Sequence, residues 1–363
     1  MWCIPPLSSG GLIVSYQCSN QCRHCLYASS PEWQKWITET DATAILKGIQ
    51  KHNRYLTGLH IGGGEPLLKP ELVAWIVRQI VALRLPLEYV ETNAFWCHND
   101  SRTETVFRML QEAGIPAVLV SVSPFHLEFV PPERVLRAIR IGRQVFGPNG
   151  LHVYTSYFLN QFQDLPLSQP LPLEDYLDAV GRENASLAFA TEYGLIPNGR
   201  VPVLLSALYQ GRQASAYTNE TCRRELESPH HVHIDLDGHY IAGLCAGLSL
   251  GDGRDLDTLY GAGVDLTDRP VLTHLLEGGV EALFLWAVET FGYVERPEGY
   301  IAKCHLCLDI RRYLVRSDVQ FPELAPRQFY VQLDKDEDRG CALRPVTDFE
   351  ADMPDTMRRG DVR

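Results

Sequence analysis

No stretch of this chain approaches the roughly 18 consecutive apolar residues of a membrane span. The most apolar run, Ala282 to Val288, is short and flanked by Glu281 and Glu289. The start, Met1-Trp2-Cys3-Ile4-Pro5-Pro6, lacks the basic region and long apolar core of a secretory signal. Basic charge is also short: 33 lysines and arginines against 45 aspartates and glutamates give a net charge of −12. That argues against general binding to nucleic acid or to an anionic membrane, both of which use basic surface. There is no internal repeat and no low-complexity tract. What remains is a globular protein, expected in the cytoplasm, whose 363 residues allow one large domain plus a smaller one. Cysteine, by contrast, is not scarce. Ten of them in such a chain point to metal or redox chemistry rather than to disulfides.

Three cysteines stand together in Cys18-Ser19-Asn20-Gln21-Cys22-Arg23-His24-Cys25, directly after the apolar run Gly11-Leu12-Ile13-Val14-Ser15-Tyr16. That run reads as a short buried strand. Three thiolates on one loop can converge on one centre, either an iron–sulfur cluster or tetrahedral zinc. Both normally take four ligands, and the next cysteine is Cys97. A cubane held by three cysteines keeps one iron open, and an open metal position is where chemistry occurs. A zinc knuckle or three unrelated thiols are the plainer alternatives.

Strand and helix signals alternate through the first two-thirds. Helices are expected at 40–52, 71–84, 101–114, 132–146 and 173–182, with a capping box at Ser101-Arg102-Thr103-Glu104. Strands are expected at 59–61, 87–91, 117–122, 151–159 and 187–191. Six strands alternating with five helices imply a parallel sheet, with functional loops after the strand carboxyl ends. The loops there are the cysteine loop, Gly62-Gly63-Gly64-Glu65-Pro66, Glu91-Thr92-Asn93 and Ser121-Val122-Ser123. Glycines let backbone approach a ligand closely, and a carboxylate can accept hydrogen bonds from a cation; a plain glycine turn is the alternative. Asn93 could bond ribose hydroxyls or could close an Asx turn.

These motifs, in this order, resemble the radical S-adenosylmethionine (SAM) superfamily: C-x3-C-x2-C with an aromatic, here His24, before its last cysteine, then G-G-E-P after the second strand. The resemblance implies a partial (β/α)6 TIM-like barrel over residues 8–209. It implies a 4Fe-4S cluster on Cys18, Cys22 and Cys25, with SAM on the open iron. One electron then cleaves SAM to a 5′-deoxyadenosyl radical, which abstracts a substrate hydrogen. By the same resemblance Gly63, Gly64 and Glu65 contact SAM, Asn93, Ser121 and Ser123 sit near its ribose, and Arg200 in Asn198-Gly199-Arg200 packs beside it. Related sequences often carry an acid near Ser123, and this chain does not.

Past a linker near residues 210–215 the pattern changes. His231 to Leu236 alternates, turns at Asp237-Gly238 and returns through His239-Tyr240-Ile241, a hairpin signal. A helix is expected over 270–291, and a charged tail, expected to be mobile, over 334–363. Cys222, Cys245, Cys304 and Cys307 could close a four-thiolate site. The arrangement resembles the smaller α+β SPASM or twitch extension of many radical SAM enzymes, here over 216–326, which carries an auxiliary 4Fe-4S cluster. Structural zinc suits four thiolates equally, and free thiols are the third reading. Cys97, His98, His126 and Glu128 lie just past strand ends and could bind substrate or move protons, although a lone histidine is more often structural.

The resemblance implies radical chemistry on a ribosomally made peptide, or alternatively on a small metabolite in cofactor synthesis. A non-catalytic metal-binding scaffold is the reading from another class. An electron donor such as flavodoxin or ferredoxin is implied. With only about ten residues ahead of the first strand, a leader-peptide-binding protein is expected as a separate chain.

Overall fold

The computed structural model describes residues 1–162 and 168–340. Its centre is a seven-stranded sheet. The strands are β1 (Ser9–Ile13), β2 (Gly58–Gly62), β3 (Leu87–Thr92), β4 (Val118–Ser121), β5 (Leu151–Tyr154), β6 (Val232–Asp235) and β7 (Tyr240–Ile241). Their order is β5-β4-β3-β2-β1-β6-β7. The first six are parallel and β7 returns antiparallel to β6. This is the expected α/β fold with a mostly parallel sheet.

The crossover helices follow from the apolar spacing. Helix α1 (Glu39–His52) buries Ala42, Ile45, Leu46 and Ile49 on one face, and the Thr38 side chain caps it by accepting from the Asp41 N–H. Helix α2 (Pro70–Ala82) buries Val73, Ile76, Val77 and Ile80. Helix α3 (Asp100–Ala113) is capped by Asn99 rather than by the expected Ser101, and stops at Gly114 with φ of +112°. Asn99 wins because its side chain reaches the Arg102 N–H. Helix α4 spans Pro132–Phe146 as expected.

Two expectations are corrected. Residues 187–191 are not a strand but the end of a helix, Arg182–Thr191. Ala185, Ala188 and Phe189 are its buried face, an i, i+3, i+4 spacing that a five-residue window hides. The sixth parallel strand is instead β6, on the far side of β1, so the hairpin expected in a separate extension continues the main sheet. The second correction concerns the tail. Residues 334–339 complete a helix, Arg327–Arg339. Asp336 on it is fully buried and pairs with Arg200 at 2.6 Å, while Asp334 pairs with Arg312 and Arg316. Charge ties this segment down instead of freeing it. The rest of the expected tail, with Cys341, lies outside the described residues.

The helix Pro270–Phe291 is long and apolar enough to cross a membrane by length and composition, with a mean hydropathy of 1.4. It bends at Gly279, where φ is +67°, and buries Val271, Leu272, Leu275, Leu276, Val280 and Leu283. A side chain at Gly279 would sit 2.2 Å from the Glu220 carbonyl oxygen, so the bend lets residues 220–221 pass close by.

Candidate functional site

A cavity of about 380 Å³ opens at the carboxyl ends of the strands. Cys18, Cys22 and Cys25 line it, with Gly63, Gly64, Glu91, Asn93, Ser121 and His126. Its volume falls in the range of small-molecule sites.

The glycine run explains how the cysteine loop gets there. The Gly64 N–H donates to the Ser15 carbonyl at 2.8 Å, and the Glu65 N–H to the Gln17 carbonyl at 2.9 Å. A Cβ on Gly64 would fall 2.0 Å from the Gln17 oxygen, and one on Gly63 2.4 Å from the Ser15 oxygen. Only glycine permits this approach. The loop then turns into the cavity, and donors meet its sulfurs. The Asn20 N–H reaches Cys18 Sγ at 3.3 Å, Asn93 Nδ2 reaches the same sulfur at 3.5 Å, and the Ser29 N–H reaches Cys25 Sγ at 3.3 Å.

Burial pushes the Cys18 and Cys22 thiols well above the ordinary range, and neighbouring thiols push Cys22 further. Bare Cys18 and Cys22 would therefore stay protonated. A metal centre is the group that turns buried, convergent thiols into thiolates. Four polar atoms on the cavity wall are buried without a protein partner: His24 Nδ1, Tyr27 Oη, Ser29 Oγ and His233 Nδ1. Such atoms await a polar ligand. The donor set and the wall thus fit a cluster with a polar cosubstrate.

Three residues expected to touch SAM do not line the cavity. Glu65 is fully buried behind it. Its carboxylate accepts from the Leu67 N–H (3.1 Å), the Thr92 hydroxyl (2.8 Å) and the Asn93 N–H (2.7 Å). Burial raises its pKa to about 7, against the pull of those hydrogen bonds. Glu65 therefore positions Asn93, whose amide turns to Ser19 and Cys18 rather than outward. Ser123 is buried and bonded to His126 Nδ1 at 2.7 Å. Arg200 donates to the carbonyls of Ala28 (3.0 Å) and Ser29 (2.8 Å), so it grips the back of the cysteine loop. A Cβ on Gly199, whose φ is +61°, would fall 2.4 Å from the Cys25 carbonyl oxygen, so glycine permits the close packing there.

Of the other expected residues, His126 lines the cavity and Glu128 does not. Glu128 pairs with Arg23 of the cysteine loop at 2.8 Å. Cys97 is buried away from the cavity. The sequence reading passed over Glu91 itself, Tyr27, Tyr154, Tyr193, His231 and His233, all on the wall. Strand alternation could have found Tyr89 and Glu91 on β3, since Asn93 was already placed there. His60 and His233 meet across the sheet at 3.1 Å, Nε2 to Nε2, and burial lowers both pKa values.

The second set lies together. Cys304 and Cys307 occupy the first turns of the helix Lys303–Val315, whose positive end favours thiolates. Burial and the neighbouring thiols push Cys245 up to about 12 and Cys304 to about 11. Cys222 is raised by burial first and then by Cys307, Cys245 and Cys304. Leu244, beside Cys245, lines the main cavity. The Asn198 amide holds the Leu244 carbonyl at 2.8 Å. Among the described residues, the group of donors close enough for one ion is Asp235, Asp237 and His239, within 4.8 Å of one another. Those groups are already occupied: Asp235 accepts from Tyr16 and His239, and Asp237 pairs with Lys35.

Residues 12–159 match the family model described as the radical SAM superfamily, and they contain both the cysteine loop and the glycine run. The chain carries a radical SAM domain over these residues. It is accordingly an enzyme, and the superfamily's cofactors are a 4Fe-4S cluster and SAM. No curated protein matches it in sequence. Among solved structures it is similar to BtrN in complex with AdoMet and 2-DOIA, at 14% identity and a TM-score of 0.39, over 70% of this chain and 82% of that one. It is also similar to anSMEcpe with bound AdoMet and the Cp18Cys peptide, at 14% identity and 0.41, over 91% and 96%. A third is Streptococcus suis SuiB bound to S-adenosylmethionine, at 13% identity and 0.42, over 83% and 75%.

Proposed function

We propose that this radical SAM enzyme binds its cluster through Cys18, Cys22 and Cys25 and cleaves SAM reductively to act on a ribosomally made peptide. The observation that carries the catalytic part is the shared cavity: three thiols and the Gly63-Gly64 backbone face one space with unpartnered polar atoms on its wall. When bound, the cluster supplies the electron that splits SAM into methionine and a 5′-deoxyadenosyl radical, which takes a hydrogen atom from the substrate. The chain's own residues do the rest. Asn20, Asn93 and the Ser29 N–H steady the sulfurs, and Arg200 and Glu65 hold the loop and Asn93 in place. The backbone of Gly63 and Gly64 and the hydroxyl of Ser121 face the cavity as SAM contacts. The apolar wall, with Ile13, Leu119 and Ile196, keeps water from the reactive space.

Cys222, Cys245, Cys304 and Cys307 are proposed to hold an auxiliary 4Fe-4S cluster. Tetrahedral zinc would bring its sulfurs to about 3.8 Å of each other. Four thiols, three of them raised in pKa by burial and by their neighbours in the set, suit either centre, and the cluster is preferred because the arrangement resembles the auxiliary-cluster extensions of the superfamily. The peptide reading rests on the combination of two cysteine sets, which resembles peptide-modifying members of the superfamily; a small metabolite is the second reading. The proposed enzyme acts in the cytoplasm with a flavodoxin or ferredoxin donor. The protein, reconstituted anaerobically, reduced and given SAM, is expected to release 5′-deoxyadenosine, measured chromatographically. A preparation with full iron occupancy that releases none would sink this function.

A further inference from the structure

Glu91 is the carboxylate of the cavity wall that has no partner. It is the last residue but one of β3 and lines the cavity, and its side chain has no hydrogen bond or ion pair among the described residues. Glycine makes room for it: a Cβ on Gly62 would lie 2.8 Å from Glu91 Oε2. Around it stand phenol rings. Tyr27, Tyr89, Tyr154 and Tyr193 all feel its charge, and all four line the same cavity. The Tyr154 hydroxyl is spent on the Tyr193 carbonyl, and the Tyr193 hydroxyl on His24. Those two residues therefore offer the cavity their rings rather than their hydroxyls. The Tyr27 hydroxyl has no partner and is itself nine-tenths buried. No lysine or arginine lines the cavity among the described residues. The nearby imidazoles of His60, His231 and His233 are held neutral by burial, so they bring no counter-charge.

An enclosed carboxylate without a cation is costly to keep in an apolar wall. Ring faces around a carboxylate are what selects an ammonium or a guanidinium, which draws on both the charge and the ring quadrupole. We propose that Glu91, with the tyrosine rings beside it, is a subsite for a cationic group of the substrate: a lysine-like ammonium or an arginine-like guanidinium. The free Tyr27 hydroxyl accepts a second hydrogen bond from the same group. Glu91 thereby sets specificity by holding the substrate near the cysteine loop. The proposal rests on the radical SAM reading of the cavity, because SAM must share it. SAM also carries cationic groups, so the test separates the two sources.

The test uses anaerobically reconstituted protein and ligand-observed NMR titration. The probes are the methylamides of N-acetyl-lysine and N-acetyl-arginine, against the neutral N-acetyl-norleucine methylamide, each with and without SAM. SAM affinity is measured separately. At least one cationic probe is expected to bind the wild type roughly tenfold or more tighter than norleucine. Glu91→Gln is expected to abolish that preference while SAM affinity stays within about twofold. Equal binding of all three probes by the wild type would overturn the proposal without any variant. So would a Glu91→Gln protein that keeps the preference, or one whose SAM affinity falls tenfold, since the carboxylate would then serve SAM. Failure of the wild type to bind SAM at all would overturn the functional reading instead, and the lysine–norleucine comparison would still decide the subsite.

Discussion

At the scale of single residues, burial acts on two carboxylates that the sequence displays alike, and partners separate their roles. Glu65 has three hydrogen-bond donors and does a structural task; Glu91 has none and faces the cavity. Burial alone raises the Glu91 pKa to about 7. A carboxylate raised above its unfolded value contributes stability that is present below the unfolded pKa and lost as pH rises through the folded one. Wild type should therefore lose stability relative to Glu91→Gln between about pH 5 and pH 8. At about 1.4 kcal/mol per pH unit, the relative change is up to ~3 kcal/mol. Thermal melts of both proteins at each pH measure this, and the comparison cancels any acid lability of the cluster common to both. A constant gap across the range would show that Glu91 is not held protonated. The sequence puts Glu91 at the end of the strand 87–91, and alternation puts it on the face of Asn93, but the absence of a partner for its carboxylate is not legible there.

At the scale of elements, legibility follows how local the cause is. β1 to β4 were readable because each is a short run rich in apolar residues that ends in a turn or polar loop; the strand expected over 151–159 instead stops at Tyr154, and Ser156–Gln161 forms a helix. Helices 132–146 and 270–291 were read to the residue, since proline opens each and glycine follows each. The segment 187–191 failed because four apolar residues and a threonine suit a strand as well as a helix, and only its longer spacing decides. The run Gly62-Gly63-Gly64 was readable as a close-approach site, but what it approaches was not. Gly63 and Gly64 border the cavity, and they also let β2 and residues 15–17 touch through backbone. Gly64→Ala must push the Gln17 carbonyl away, and overpacking of this kind costs about 1–3 kcal/mol. The variant should also incorporate less iron, because the displaced backbone leads directly into Cys18. Gly261→Ala, with open space around its added methyl, should stay within about 0.5 kcal/mol of wild type. Denaturant midpoints and iron assays on the pair check this, and a Gly64→Ala protein indistinguishable from Gly261→Ala would remove the packing explanation.

At the scale of the whole molecule, the two cysteine sets are joined by more than sequence. Arg200 grips the first loop and pairs with Asp336 of the last described helix, while Asn198 two residues before it holds the loop carrying Cys245. The Arg200–Asp336 pair is fully buried, and removing one partner from such a pair costs about 3–5 kcal/mol. Asp336→Ala should therefore lower the unfolding midpoint and loosen the first cluster, read as faster loss of iron to a chelator. Unchanged stability and chelation would mean that the helix is only appended to the barrel. The same strut gives a reason to expect the second set to stay assembled when the first is destroyed, since Cys222, Cys245, Cys304 and Cys307 are held by the helices Pro270–Phe291 and Lys303–Val315 and by the β7 turn. A Cys18/Cys22/Cys25→Ala triple variant should thus retain about four irons with matching sulfide. Iron and sulfide assays on the purified variant decide between the two chemistries that four thiolates allow. A remainder of iron and sulfide supports the auxiliary cluster; one zinc without sulfide overturns it and makes that half of the molecule a structural clamp on the barrel.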